Sequence, residues 1–121
     1  MNEKILIVED YVDTRCLMRI LLEGFGYEVL EAANGLEAIE SIKNQLPDLI
    51  LMDISLPIMD GLTATKVIRG FDGTAEIPII AVTAFGHSLY NKAIDAGCND
   101  LIKKPLDFDS LEPILNEYLH H

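Results

Sequence analysis

The fold of this chain is decided by residues 49–61, whose sequence is LILMDISLPIMDG. Residues 49–52 are all apolar, which is typical of a strand covered on both faces, as at the centre of a parallel sheet. The apolar run ends at Asp53, and a turn region containing Pro57 and Gly61 follows. The sequence therefore predicts a buried strand that delivers a carboxylate to its end, and the role of that carboxylate has to be explained.

Composition limits the class of protein. The 121 residues, 50% of them hydrophobic types, fit one domain over 1–121 with a single core. The net charge of −11 argues against nucleic acid or membrane as a direct partner and fits a cation or a basic protein face. Cys16 and Cys98 lack metal-ligand spacing and are expected to be reduced thiols of a cytoplasmic protein. His120 and His121 are either native or an affinity-tag remnant.

Apolar patterns along the chain predict five units, each a strand followed by a helix. The predicted strands are 4–8, 28–32, 48–52, 77–82 and 100–103. The predicted helices lie around 17–25, 36–46, 62–69, 88–96 and from about 109 onward. Such an order is typical of a doubly wound α/β protein, in which a parallel sheet carries helices on both faces.

Details of the helices follow from caps and spacing. Asn34, with the acidic Glu37 three residues later, is a helix-start signal. Gly24 and Gly26 are predicted to end the first helix, and Pro113 is placed in the first turn of the last. The predicted inward-facing helix positions are Leu17, Met18, Leu21, Leu22, Phe25, Leu36, Ile39, Ile42, Leu46, Ala64, Val67, Ile68, Leu111, Ile114, Leu115 and Tyr118.

Polar residues follow four of the predicted strands. Glu9 and Asp10 follow the first, Asp53 the third, Thr83 the fourth, and the segment 103–105, Lys-Lys-Pro, the fifth. Taken alone, each of these residues is explained as a turn residue, a helix cap or a good strand former. In open parallel sheets, however, ligands bind outside the carboxyl ends of the strands, so these residues are expected to converge.

The converging groups indicate a particular chemistry. Three carboxylates repel one another and need a cation, and hard oxygen ligands suit Mg²⁺, which binds where a phosphate completes its octahedron. An aspartate beside Mg²⁺ and a lysine can attack a phosphoryl donor and become an aspartyl phosphate. Thr83 and Lys104 could then bind phosphoryl oxygens. The pattern predicts phosphoryl acceptance.

Four motifs carry a family resemblance: VED at 8–10, LMDISLPIMDG at 51–61, AVTA at 81–84 and KKPLD at 103–107. Together and in this order they are highly specific, and over about 3–119 the chain resembles the receiver domain of bacterial two-component response regulators. The resemblance implies a flavodoxin-like (CheY-like) doubly wound fold. Its five-stranded parallel sheet would have the order 2-1-3-4-5, with five helices.

The resemblance also implies roles at the acidic site. Asp53 would be the phosphoacceptor, and Asp10 and Asp53 would bind Mg²⁺ directly. The main-chain carbonyl of Ser55 would complete the protein ligands, and Glu9 would act through water. The chain would not be an enzyme beyond catalysing its own phosphorylation and slow dephosphorylation.

Further roles concern signalling. Thr83 would be the switch hydroxyl and Lys104 the phosphate partner, with a cis peptide before Pro105. The phosphodonor would be a sensor or hybrid histidine kinase or a histidine phosphotransfer protein. The downstream protein target is unknown, and the face expected to change is the fourth helix, fifth strand and fifth helix, about 87–119.

Three positions set expectations about kinetics and coupling. Ser55 and Phe85 lie two residues past the acceptor and the switch threonine, where members of the resembled family shape access of water, so slow hydrolysis is expected. Leu101 stands where many receivers have Tyr or Phe that swings inward. The simplest interpretation is a core leucine. Either way, a leucine has no hydroxyl and fills less volume than an aromatic ring, so coupling is expected to run mainly through the loop after Thr83 and the fourth helix, within residues 83–95.

Three other classes of protein compete with this interpretation. A haloacid-dehalogenase-type phosphatase would need a second aspartate where the chain has Ser55. A flavodoxin would need a Ser/Thr/Gly-rich phosphate loop where it has Glu9, Asp10 and Tyr11. A docking or scaffold receiver that works without phosphorylation stays open as the alternative.

Overall fold

The fold, known from a computed structural model that describes residues 2–119, alternates strands and helices along the chain. The strands are β1 Lys4–Val8, β2 Glu28–Ala32, β3 Leu49–Asp53, β4 Ile79–Thr83 and β5 Asp100–Lys103. The helices are α1 Val12–Gly24, α2 Gly35–Asn44, α3 Gly61–Arg69, α4 Tyr90–Ala96 and α5 Phe108–Leu119, with a 3₁₀ turn at Gly86–Leu89 before α4. The question of His120 and His121 lies outside the described residues. Within 2–119, no helix is both long enough and apolar enough to cross a membrane.

All strands belong to one parallel sheet with the order β2-β1-β3-β4-β5. The prediction of a five-stranded parallel sheet in the order 2-1-3-4-5 is therefore confirmed. Register places Ile5 beside Leu49 and Ile50 beside Ile79. The carboxyl ends of all five strands consequently meet at one edge.

The sheet is buried on both faces by two separate hydrophobic clusters. Leu6 and Ile50 point to the side covered by α2, α3 and α4, whereas Ile5 and Leu49 point to the side covered by α1 and α5. All four side chains have no exposed surface. Double burial explains why the strands read as continuous apolar runs instead of alternating ones.

Side-chain caps fix where the helices begin. The Oδ1 of Asn34 accepts the Glu37 N–H at 2.9 Å, as the sequence predicts. Asp60 caps α3 through the N–H groups of Leu62 and Thr63, both at 3.0 Å. A further cap at Asp107 starts α5 at Phe108, one residue before the predicted start.

Several predicted helix details are wrong. Leu17 and Leu36 lie on outward faces of their helices and are about half exposed, and Val67 is also exposed. Leu46 is exposed and lies beyond the end of α2. Pro113 lies inside α5, not in its first turn, so it costs the helix one main-chain hydrogen bond. Only a narrow row of side chains on each helix packs against the sheet, so apolar residues on either side of that row remain exposed to water.

The carboxyl end of α4 is fastened by Arg69. Its guanidinium donates to the carbonyl of Gly97 at 3.0 Å and to Asn99 Oδ1 at 2.8 Å, and also to the carbonyl of Thr74. Gly97 has φ of 116°, and a Cβ there would lie 2.8 Å from Arg69 Cγ. The other end of α4, at the 3₁₀ turn, has no side-chain cap.

Candidate functional site

The polar residues predicted at the strand ends do converge at the carboxyl edge of the sheet. Glu9, Asp53 and Thr83 are 1%, 4% and 1% exposed, whereas Asp10 is exposed. Glu9 and Asp53 are therefore charged groups removed from water, and such groups need compensation from nearby charges or hydrogen bonds.

Lys104 supplies that compensation to both buried carboxylates. Its Nζ lies 2.6 Å from Glu9 Oε1 and 2.9 Å from Asp53 Oδ2. Partial burial alone would lower the pKa of Lys104, but the hydrogen bonds to Glu9 and Asp53 outweigh it and raise the pKa above its ordinary value. The Lys104–Pro105 peptide is cis, as the resemblance implies.

The acidic groups form a candidate cation site. One carboxylate oxygen from each of Glu9, Asp10 and Asp53 lies within 4.8 Å of the others. Asp53 Oδ1 also accepts the N–H of Ser55 at 2.9 Å, which orients the carboxylate. Three negative charges face the one positive charge of Lys104, which leaves an excess of two. Hard oxygen donors with this charge fit Mg²⁺.

The Thr83 hydroxyl is held by the loop that follows β4. Thr83 Oγ1 accepts the N–H of Phe85 at 3.0 Å, and a hydroxyl that accepts this bond still has a proton to donate. Phe85, two residues after Thr83, is 69% exposed, and Ser55 is exposed. Leu101 is buried in the cluster beneath α3 and α4, so it is a core leucine.

The loop between β3 and α3 contains two features that the sequence argument missed. A Cβ on Gly61 would lie 2.1 Å from the carbonyl oxygen of Asp53, so only glycine lets α3 start this close to the end of β3. Ile58 adopts φ of 70°, a costly conformation for a β-branched residue, in the same loop. The Asp-Gly pair at 60–61 was the available signal for the close approach.

Relatives of this chain occur both alone and within larger proteins. The profile of the response regulator receiver domain matches residues 5–116. The polar-differentiation response regulator DivK of Brucella anthropi is 40% identical over 120 residues, which cover 98% of both chains. The hybrid signal transduction histidine kinase G of Dictyostelium discoideum is 43% identical over 119 residues. Those residues are 95% of this chain but 4% of that kinase.

Solved structures agree with the fold. The receiver domain of the sensor histidine kinase PA1611 of Pseudomonas aeruginosa, solved with a magnesium ion in its active site cleft, superposes with a TM-score of 0.92. It is 34% identical, with 100% of both chains covered. The receiver domain of Ssk1 from Saccharomyces cerevisiae, in complex with the histidine phosphotransfer protein Ypd1, gives 0.88 at 30% identity. That match covers 97% of this chain and 88% of that one. The chain belongs to the response regulator receiver domain family of two-component signalling.

Proposed function

We propose that residues 1–121 form one receiver domain that works as a phosphoacceptor switch, with Asp53 as the acceptor. The observation that carries the proposal is the position of the Asp53 carboxylate, at the end of β3, 2.9 Å from the ammonium of Lys104 and beside Glu9 and Asp10. A carboxylate at the carboxyl edge of a parallel sheet, paired with a lysine ammonium, can accept a phosphoryl group, and the ammonium stabilises the added negative charge.

In the proposed transfer, a carboxylate oxygen of Asp53 forms a bond to phosphorus as the phosphorus–nitrogen bond of a phosphohistidine breaks. The electron pair of that bond stays on the imidazole nitrogen, which takes a proton. Bound Mg²⁺, held by Asp10, Asp53 and the main-chain carbonyl of Ser55, with Glu9 acting through water, would offset negative charge on the phosphoryl oxygens. Lys104 would move part of its hydrogen bonding from Asp53 to a phosphoryl oxygen.

Thr83 would convert the new charge into a change of shape. The hydroxyl of Thr83 can donate a hydrogen bond to a phosphoryl oxygen. Because the same hydroxyl accepts the N–H of Phe85, a movement of Thr83 toward the phosphoryl group would also move the loop before α4. Hydrogen bonds to charged groups contribute about 1.5–3 kcal/mol each. Two such bonds, one from Thr83 and one from Lys104, approach the ~5.5 kcal/mol that moves a population from 1:99 to 99:1. The face that changes is α4, β5 and α5.

The proposed phosphodonor is the histidine of a sensor or hybrid kinase or of a phosphotransfer protein. The Ssk1 receiver domain, bound to Ypd1, supports a partner of this kind. Helix α1 begins two residues after Asp10 and exposes the apolar side chains of Val12, Leu17 and Ile20, which we infer to be part of the contact surface for the phosphodonor. We infer a cytoplasmic reaction, because Cys16 and Cys98 are both free thiols.

Direct labelling tests the proposal. Wild-type protein treated with acetyl phosphate and Mg²⁺ should gain about 80 Da, the mass of one phosphoryl group. The Asp53→Asn variant should gain nothing, and Asp10→Asn should label only at much higher Mg²⁺ concentrations. Asp48→Asn, at an exposed carboxylate away from the site, is the matched control. Wild-type protein that never labels would instead favour the docking or scaffold alternative.

A further inference from the structure

Arg15 of α1 contacts the main chain at Glu9, one of the residues of the acidic site. Its Nη1 donates to the carbonyl oxygen of Glu9 at 2.8 Å, and its Nε donates to Glu31 Oε1 of β2 at 2.7 Å. The side chain is only 18% exposed. Arg15 thus connects the loop that carries two acidic residues to the neighbouring edge strand.

The contact fixes one peptide plane. The N–H of Glu9 donates to the carbonyl of Ala32 in β2 at 3.0 Å, and the carbonyl of Glu9 accepts from Arg15 in α1, so both main-chain polar groups of Glu9 are held. Because the peptide bond is planar, the carbonyl of Glu9 and the nitrogen of Asp10 turn together. Holding that carbonyl therefore sets the direction in which Asp10 leaves the strand.

The guanidinium of Arg15 is itself held in place. Glu31 accepts from Arg15 with one oxygen and from Arg19 with the other. Arg19 is anchored in turn by Glu23 at 2.9 Å and by the carbonyl of Val29 at 3.2 Å. Burial would raise the pKa of Glu31, but the hydrogen bonds from Arg19 and Arg15 lower it below its ordinary value, so the carboxylate stays charged.

We propose that Arg15 is a positioning residue for the cation site, which holds the Glu9–Asp10 peptide in the orientation that lets both carboxylates face a divalent cation. This inference rests on the proposed function. Two effects of Arg15 on Mg²⁺ have opposite signs. Its positive charge repels the cation, whereas its hydrogen bond orders the ligands. The sign of the change in affinity on removing Arg15 therefore tells which effect dominates.

Calorimetric titration with Mg²⁺ alone measures that sign. Arg15→Gln is expected to bind Mg²⁺ about 10-fold more weakly than wild type, as for other residues that orient metal ligands. Arg15→Lys keeps the charge and one possible donor, and should recover part of the loss. Arg19→Gln is the matched control, because it removes the same charge from the same network but has no contact with Glu9.

The rate of labelling by acetyl phosphate gives a second readout. Arg15→Gln should need more Mg²⁺ for half-maximal labelling but reach the wild-type rate at saturation, a separation that general loss of structure would not produce. Thermal unfolding verifies that each variant is folded. If Arg15→Gln is unfolded, the comparison of Arg15→Lys with Arg19→Lys decides in its place, with weaker Mg²⁺ binding by Arg15→Lys expected.

Two results would overturn the inference. Equal Mg²⁺ affinity of the Arg15 variant and its Arg19 control would show that the contact with Glu9 has no role in cation binding. Tighter binding by Arg15→Gln would show that only charge matters. If wild type and Asp10→Asn both fail to bind Mg²⁺, the proposed function falls, and this inference falls with it.

Discussion

Replacing Lys104 with Met tests the electrostatics of the site most directly. In the part of the chain that the structure describes, the ion pairs of Glu9 and Asp53 are both formed with this one ammonium. The Glu9 and Asp53 side chains are 2% and 6% exposed, so the variant leaves two adjacent carboxylates without their counter-charge. Lys104→Met should therefore be strongly destabilising.

The magnitude follows from measured losses of one partner of a buried ion pair, about 3–5 kcal/mol. Because the side chain of Lys104 is itself 27% exposed, water reaches part of the site, and the lower end, about 3 kcal/mol, is expected here. Saturating Mg²⁺ should restore much of the lost stability, since a ligand at 100 times its Kd adds about 2.7 kcal/mol to the free energy of unfolding. The gain from Mg²⁺ should be larger in the variant than in wild type, because a competing cation has been removed.

Urea unfolding at neutral pH, once with EDTA and once with Mg²⁺, measures both quantities. Lys4→Met is the control, because the ion pair of Lys4 with Glu28 is exposed and such pairs contribute at most about 1 kcal/mol. Adding Glu9→Gln to Lys104→Met should recover part of the loss, since one unpaired charge then remains instead of two. A Lys104→Met protein as stable in EDTA as Lys4→Met, or one that Mg²⁺ does not stabilise, would refute this reasoning.

Three further predictions concern the loops and caps around the site. Phe85→Asn should shorten the lifetime of the phosphorylated protein, followed by loss of label after the donor is removed; an unchanged lifetime would argue against shielding by this ring. Leu101→Ala should cost about 2–5 kcal/mol in urea unfolding because its side chain is buried, and a beryllofluoride mimic should shift the amide resonances of 83–95 more than those around Leu101. The account of coupling fails if the largest shifts centre on Leu101 instead. Asp60→Ala should cost about 1 kcal/mol as a lost cap. The hydrogen bond from the N–H of Thr63, with other hydrogen bonds, lowers the pKa of Asp60 below its ordinary value of 3.8. The stability contributed by the ionised cap is therefore fully present above pH 3.8 and is lost as the pH falls through the lower pKa of the folded state. A difference in unfolding free energy between wild type and Asp60→Ala that stays constant down to acid pH would contradict this prediction.

The strands could be located from the sequence because their burial on both faces leaves long apolar runs such as 49–52. The order of the strands could not be read from the runs, and it came from the resemblance carried by the motifs. Helix faces were predicted less well. Apolar side chains such as Leu36 and Val67 lie beside the buried stripe, and the sequence alone does not show how narrow that stripe is.

The candidate site was predictable in outline for a topological reason, since residues that follow parallel strands share one edge. The hydrogen bonds and ion pairs within the site could not be predicted from the sequence. That Lys104 pairs with Glu9 as well as Asp53 depends on side-chain geometry across 95 residues of sequence. Likewise, the contact of Arg15 with Glu31 joins a helix to an edge strand, and no local pattern indicates such a pair.

The fastening of α4 by Arg69 has a mechanical consequence. Because the guanidinium of Arg69 holds Gly97, whereas the 3₁₀ turn at Gly86–Leu89 gives α4 no side-chain cap, we expect the helix to pivot about its carboxyl end. Under the proposed function, a movement of Thr83 would reach the amino end of α4 first. The displacement should then be largest at Gly86 and fade to nothing at Gly97, so that the helix swings as a rigid arm and does not slide along the sheet.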